Sequence, residues 1–161
     1  MIVRLSSVLP WPASAVRDEA MRTRLLRHVS APWVTFTAID PPALPEIWEP
    51  GRFRVAMRLG GLLPIGEQDI DIRVEVDDPT PGRECFVALD RGRGGLARRW
   101  DHRITIVALT GGGARYSDEV DVGAGVLTPA VWLFARLFFA HRQRRWRRLT
   151  ARTRPPVDDL E

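Results

Sequence analysis

The residues best suited to chemistry sit in two alternating stretches of the C-terminal half. Trp100, His102, Ile104 and Ile106 take every second position of one stretch, and Tyr116, Asp118, Val120 and Val122 every second position of the next. Residues two apart share a face of a β-strand, so each set occupies one face. With both faces turned inward, His102 and Asp118 are polar groups in apolar surroundings. A buried carboxylate needs a partner or a raised pKa, and an imidazole is a suitable partner. Such a pair orients a ligand carbonyl or works as acid and base, with Tyr116 as a third candidate catalytic group. The plainer alternative is a structural hydrogen bond in a satisfied core. The choice turns on hairpin register, because a one-residue slip sends the two side chains to opposite faces.

Other chemistries find less support. Ser6, Ser7 and Ser117 have no nucleophile elbow around them. Cys85, between Glu84 and Phe86, reads as a small core residue. His28, His102 and His141 fall in different elements without ligand spacing, so no metal site is expected. Gly92-Arg93-Gly94-Gly95-Leu96-Ala97 has the G-x-G-x-x-A spacing of dinucleotide-binding loops. That motif needs a helix directly after it, whereas Arg98–Leu109 alternates like a strand. The segment therefore reads as a connecting loop near a cavity mouth, and no cofactor is implied.

With 161 residues, 45% hydrophobic and 27% charged, the chain is long enough for one domain with its own core. A single cysteine excludes an internal disulfide and any multi-cysteine metal site, which fits a reducing, cytoplasmic setting. Met1–Leu9 reads as a strand rather than a secretory signal. The longest apolar run, Val126–Ala140, carries Arg136 and is too short to span a bilayer. Every basic side chain other than histidine is arginine. The net charge of +4 is uneven: residues 141–154 hold seven arginines and no acid, leaving about −3 (4 minus 7) for the rest. A nucleic-acid surface would spread basic residues over a face, so no nucleic-acid partner is expected. Arg142, Arg144, Arg145, Arg147 and Arg148, read together with an exposed Trp146, instead offer a weak contact with anionic membranes.

The elements that must position these groups follow from periodicity. Ile2–Leu9 reads as a strand, Ala13–His28 as one or two short helices, and Trp33–Ile39 as a second strand. A proline-rich loop containing Trp48 follows. Phe53, Val55, Met57 and Leu59 then alternate with Arg52, Arg54, Ala56 and Arg58, and Ile70, Ile72, Val74 and Val76 with mostly acidic residues. This predicts antiparallel neighbours with opposite charges on their outer faces. Residues 77–82 read as a turn, Cys85–Leu89 as a strand, and Arg91–Gly95 as a glycine-rich loop. Arg98–Leu109 and Ala114–Val122 close a hairpin about Gly111-Gly112-Gly113. Thr128 reads as an N-cap and Pro129 as the first residue of a long helix. Val131, Phe134, Ala135, Phe138, Trp146 and Leu149 form its stripe. Trp132, Leu133, Leu137 and Phe139 make its first half apolar nearly all round, which predicts burial on every side. Residues 1–150 form one domain and 151–161 a polar tail.

This order resembles the START-like superfamily, also called the Bet v 1-like or helix-grip fold, and more nearly bacterial SRPBCC polyketide-cyclase-like proteins. The resemblance rests on Pro12–Val16 after the first strand, Trp100-Asp101-His102, Tyr116–Val120 and the closing Phe139-Ala140-His141-Arg142. It implies an α+β fold: a curved antiparallel sheet of six to seven strands around a long C-terminal helix, with an apolar cavity between them. Most members bind lipids, polyketides or other hydrophobic molecules, and some catalyse cyclisation or dehydration there. Under that resemblance the candidate ligand-binding residues are Trp33, Phe36, Phe53, Met57, Phe86, Trp100, His102, Ile104, Tyr116, Asp118, Trp132 and Phe138. Three readings follow: a hydrophobic-ligand binder, a cyclase- or dehydratase-like enzyme using His102 and Asp118, and a membrane or interaction module using the arginine-rich helix end.

Overall fold

Charge and apolar alternation build the sheet. In the computed structural model, which describes residues 1–76, 84–94 and 97–155, strand β3 (Gly51–Leu59) buries Phe53 and Val55 and exposes Arg52 and Arg54. Its neighbour β4 (Leu63–Val76) places Asp69 opposite Arg54, and Arg54 Nε lies 2.9 Å from Asp69 Oδ1. The pair is solvent-facing and worth under about 1 kcal/mol. It helps set register while the apolar face supplies the stability.

Seven strands pair antiparallel in the order β1-β7-β6-β5-β4-β3-β2. Besides β3 and β4 these are β1 (Ile2–Leu9), β2 (Val34–Asp40), β5 (Glu84–Gly94), β6 (Ala97–Ala108) and β7 (Ala114–Gly123). Helices α1 (Ala13–Ala20) and α2 (Thr23–Ser30) connect the two edge strands, β1 and β2. Backbone bonds from Thr23 N–H to Glu46 O and from Trp48 N–H to Met21 O tie the proline-rich loop to their junction. A last helix, α3 (Thr128–Arg152), lies against β1 and β7 and against α2. This is the helix-grip fold. The expected turn at 77–82, the far end of the tail and the side chain of Cys85 lie outside the described residues.

Three local expectations are corrected. The glycine-rich segment is no loop up to Gly94: β5 continues through it, pairing Gly92 with Trp100 and Gly94 with Ala97. Glycine is required by proximity, because a Cβ on Gly92 would collide with the Gln68 side chain and one on Gly94 with the Glu67 carbonyl. Gly94 also has φ 138°, a region that side chains disfavour. The next element described is strand β6, not the helix a dinucleotide loop needs.

The α3 start also differs. Leu127, not Thr128, precedes the first turn; Thr128 Oγ donates to Gly125 O at 2.7 Å and accepts from Ala124 N–H at 2.9 Å, closing the short 3₁₀ turn Gly125–Leu127. Nor is the first half of α3 buried all round. Its sheet-facing stripe, with Ala135, Phe138 and Phe139, is buried, whereas Leu133 and Leu137 are 52% and 50% exposed. The sheet covers only one side of the helix.

Candidate functional site

The inner face of the sheet and α3 enclose a cavity of about 470 Å³. Its wall is mainly apolar, with Met21, Leu25 and Leu26 from the α1–α2 region, Trp48 from the loop, Ile70 and Ile72 from β4, and Val131, Phe134 and Phe138 from α3. Gln68, Asp90, His102, Tyr116 and Arg142 are its polar side chains. Curvature makes the space: α3 packs on β1 and β7 at one edge of the bent sheet and leaves a gap over the strands beyond.

Register settles the central pair. On β6 and β7, Trp100 faces Val122, His102 faces Val120, Ile104 faces Asp118 and Ile106 faces Tyr116. All four couples alternate inward, so His102 and Asp118 are diagonal neighbours on the concave side. His102 Nε2 lies 2.7 Å from Asp118 Oδ1. Tyr116 Oη donates to the same oxygen at 3.2 Å, and Gln143 Nε2 on α3 donates to Oδ2 at 2.6 Å. The Phe139 ring meets His102 edge-on, with centroids 4.8 Å apart. Asp118 is therefore a buried carboxylate satisfied by three donors from two strands and a helix.

Burial alone would raise the Asp118 pKa, but the bond from His102, the charge of Arg142 and the Gln143 amide hold it below the usual carboxylate value. Burial pushes the His102 imidazole down, and the bond to Asp118 only partly offsets this. Burial, helped by the Asp118 charge, pushes the Tyr116 phenol well up. At neutral pH the cluster holds a carboxylate, a neutral imidazole donating from Nε2, and a neutral phenol. The other ring nitrogen, Nδ1, bonds to no described residue, and the ring lines the cavity. It is an acceptor available to a bound molecule.

Of the residues expected to contact a ligand, Phe36, Met57, Phe86, Trp100, His102, Ile104, Tyr116 and Phe138 line the cavity. Four do not. Trp33 stacks on His141 of α3, with centroids 5.3 Å apart, and Phe53 packs edge-on against Trp48 at 5.2 Å. Trp132 donates its indole N–H to Ile2 O, on the side of α3 away from Phe134 and Phe138. Asp118 sits behind His102 as its support rather than on the wall.

Three polar wall residues, Gln68, Asp90 and Arg142, lie outside the set expected to contact a ligand. Asp90 pairs with His102 across β5 and β6 and accepts from Asp71 N–H at 3.0 Å. It is half-buried, opening onto the cavity rather than bulk water, and desolvation raises its pKa to about 7. Arg142, expected at a membrane-facing arginine-rich surface, lies four residues after Phe138 on the same stripe and turns inward. Its guanidinium stands 4.8 Å from the Phe139 centroid and 5.8 Å from that of Phe138. Arg144, Arg147 and Arg148 are exposed, and Arg145 reaches His28. Trp146, expected in solvent, is 2% exposed and packs edge-on against Trp11 and Tyr116, because the stripe carries it into the core.

Residues 7–150 match DUF8410, a domain of unknown function. The chain belongs to the DUF8410 family. No curated protein matches this DUF8410 chain. Among solved structures it is similar to a START superfamily protein from Mycobacterium smegmatis, with TM-score 0.60 at 12% identity over 94% of this chain and 97% of that one. It is also similar to the ZhuI aromatase/cyclase from a Streptomyces species, with TM-score 0.57 at 9% identity over 94% of both chains. A third likeness is to Ara h 8.0201, with TM-score 0.59 at 12% identity over 95% of this chain and 99% of that one. These likenesses place the DUF8410 chain in the START- and Bet v 1-like fold. Among its described residues, no helix is long and apolar enough to cross a membrane.

Proposed function

We propose that the protein binds an apolar or amphipathic small molecule between the sheet and α3. The observation that carries this is the cavity itself, about 470 Å³ with an apolar wall and a few polar groups. Such a space is costly to leave unfilled and matches the size of small-molecule sites. A ligand burying about 300 Å² of apolar surface would gain about 7 kcal/mol at about 25 cal/mol per Å². Ordering and association costs then leave micromolar affinity within reach. The fold shared with a START protein and an aromatase/cyclase is consistent with this reading. A thermal-shift screen of fatty acids, flavonoids and aromatic polyketides should find at least one stabilising class. Ala88→Phe, on the wall, should abolish the shift while circular dichroism stays unchanged. No stabilising class, together with a ligand-free native mass spectrum of fresh protein, would overturn the reading.

The Asp118–His102 bond favours a second reading, a cyclase- or dehydratase-like enzyme. Neutral His102 would take a proton at Nδ1 from a carbon beside a ligand carbonyl, leaving an enolate. Asp118 would stabilise the resulting imidazolium through Nε2–H. Tyr116, held protonated, would turn its single O–H from Asp118 to the enolate oxygen. His102→Ala should then reduce turnover about 10²-fold or more, whereas under pure binding it changes affinity alone.

A further inference from the structure

Arg142 brings a guanidinium to the wall of a largely apolar cavity, where it makes no ion pair or hydrogen bond with any described residue. Its contacts are the faces of Phe138 and Phe139, which hold the charge without satisfying its N–H donors. The acids nearby do not supply acceptors. Both oxygens of Asp118 are occupied, by His102 and Tyr116 on one side and Gln143 on the other. Asp90 accepts from the Asp71 backbone and forms no ion pair with Arg142. A partly desolvated guanidinium with open donors is costly unless a ligand provides the acceptor.

We propose that Arg142 anchors a singly charged carboxylate, so that the cavity selects amphipathic acids over neutral molecules of the same shape. This rests on the binding reading above. The carboxylate fits the fork of Arg142 in bidentate fashion, and the tail runs along the apolar wall formed by Met57, Ile70 and Phe134. A single negative charge matches Arg142, the one unpaired cation among the described residues of the wall; a doubly charged phosphate would leave an unpaired charge buried beside Asp118. Asp90 does not oppose the ligand below neutral pH, where it is largely protonated and can donate a hydrogen bond. Around Arg142 the groups that feel its charge are Asp90, His102, Tyr116 and Asp118. Only Asp118 is an obligate anion, and it is fully paired.

The test compares decanoate with decanol, which share a tail and differ in headgroup, by isothermal calorimetry at about pH 6, below the Asp90 value. Wild-type protein should bind decanoate about 10-fold or more tightly than decanol, the scale of a charge-assisted bond. Arg142→Met should erase that preference while decanol still binds, and Arg144→Gln, on the exposed face, should leave it intact. Arg142→Lys should retain part of the preference, which keeps the test decisive if the Met variant does not fold. Equal binding of both by the wild type, or a preference that survives in Arg142→Met, would overturn the anion anchor and leave the cavity reading standing. Binding of neither molecule would overturn the carboxylate proposal, while the wider thermal-shift screen decides the cavity reading separately.

Discussion

His102 Nε2 stands 2.7 Å from Asp118 Oδ1 across the β6–β7 ladder, with the two residues only 7% and 2% exposed. Removing the acid strands three donors, on His102, Tyr116 and Gln143. Asp118→Ala should therefore cost about 3–5 kcal/mol, seen as a fall in Tm of roughly 10 °C. Asp118→Asn keeps the shape and one acceptor and should lose less. A loss under about 1 kcal/mol for the alanine variant would mean that water replaces the carboxylate and that the cluster is not closed.

Acid titration gives the pair a signed signature. His102 is held below its ordinary 6.5 by burial, so its neutral form is favoured on folding. That contribution is complete above 6.5 and is lost as the pH falls below it, where the unfolded ring is protonated first. Asp118, also lowered, adds stability above its ordinary 3.8 that disappears as the pH drops through its folded value. Urea midpoints of His102→Gln should fall less steeply than wild type between about pH 6.5 and 5.

Asp90 works in the opposite sense. Its folded value of about 7 lies above the ordinary 3.8, so rising pH removes the proton from the unfolded chain first and stability declines across that window. Asp90→Asn should show no such decline, and its Tm advantage over wild type should grow from about pH 4 to 7.5. A constant difference across that range would show that Asp90 is hydrated in the cavity.

Gly94 and Gly112 make a matched contrast. Both have positive φ, at 138° and 96°, but only at Gly94 does a Cβ meet the neighbouring backbone. Gly94→Ala should cost about 2–4 kcal/mol through strain and clash, and Gly112→Ala about 1 kcal/mol through conformation alone. Chemical denaturation of the two variants measures the difference.

The exposed arginines Arg144, Arg147 and Arg148 lack the aromatic anchor expected beside them, since Trp146 is buried. At about 1 kcal/mol each they would give at most weak attraction to an anionic bilayer. Flotation should recover the protein with anionic vesicles at low salt and release it near 0.5 M, where the Debye length is only about 4 Å. Recovery that resists salt would point to apolar insertion instead.

The hairpin of β6 and β7 was legible because strict alternation survives there: Trp100-His102-Ile104-Ile106 and Tyr116-Asp118-Val120-Val122 can be read by period alone. Asp90 was not, since Leu89-Asp90-Arg91-Gly92 has the composition of a turn and only pairing with His102 reveals its inward face. Arg142 and Gln143 were hidden in a run of arginines whose average character is solvent. Continuing the stripe four residues beyond Phe138 and Phe139 would have found both. The four misplaced aromatic or acidic candidates share a cause: one-dimensional pattern gives the face of an element but not which neighbour covers it.

The pairing of β1 with β7 has a consequence for how the molecule is made. Arg4 and Glu119, 2.6 Å apart, are separated by 115 positions in the chain. During synthesis β1 emerges before its strand neighbour β7 exists, so the sheet cannot close at that edge until β7 has left the ribosome. Until then the inward residues Val3 and Leu9 and one row of backbone groups have no cover, and docking of α3, which is translated after β7, must follow. Assembly is therefore governed by a late, non-local step, and slowed translation upstream of β7 prolongs the interval in which the nascent chain is prone to aggregate.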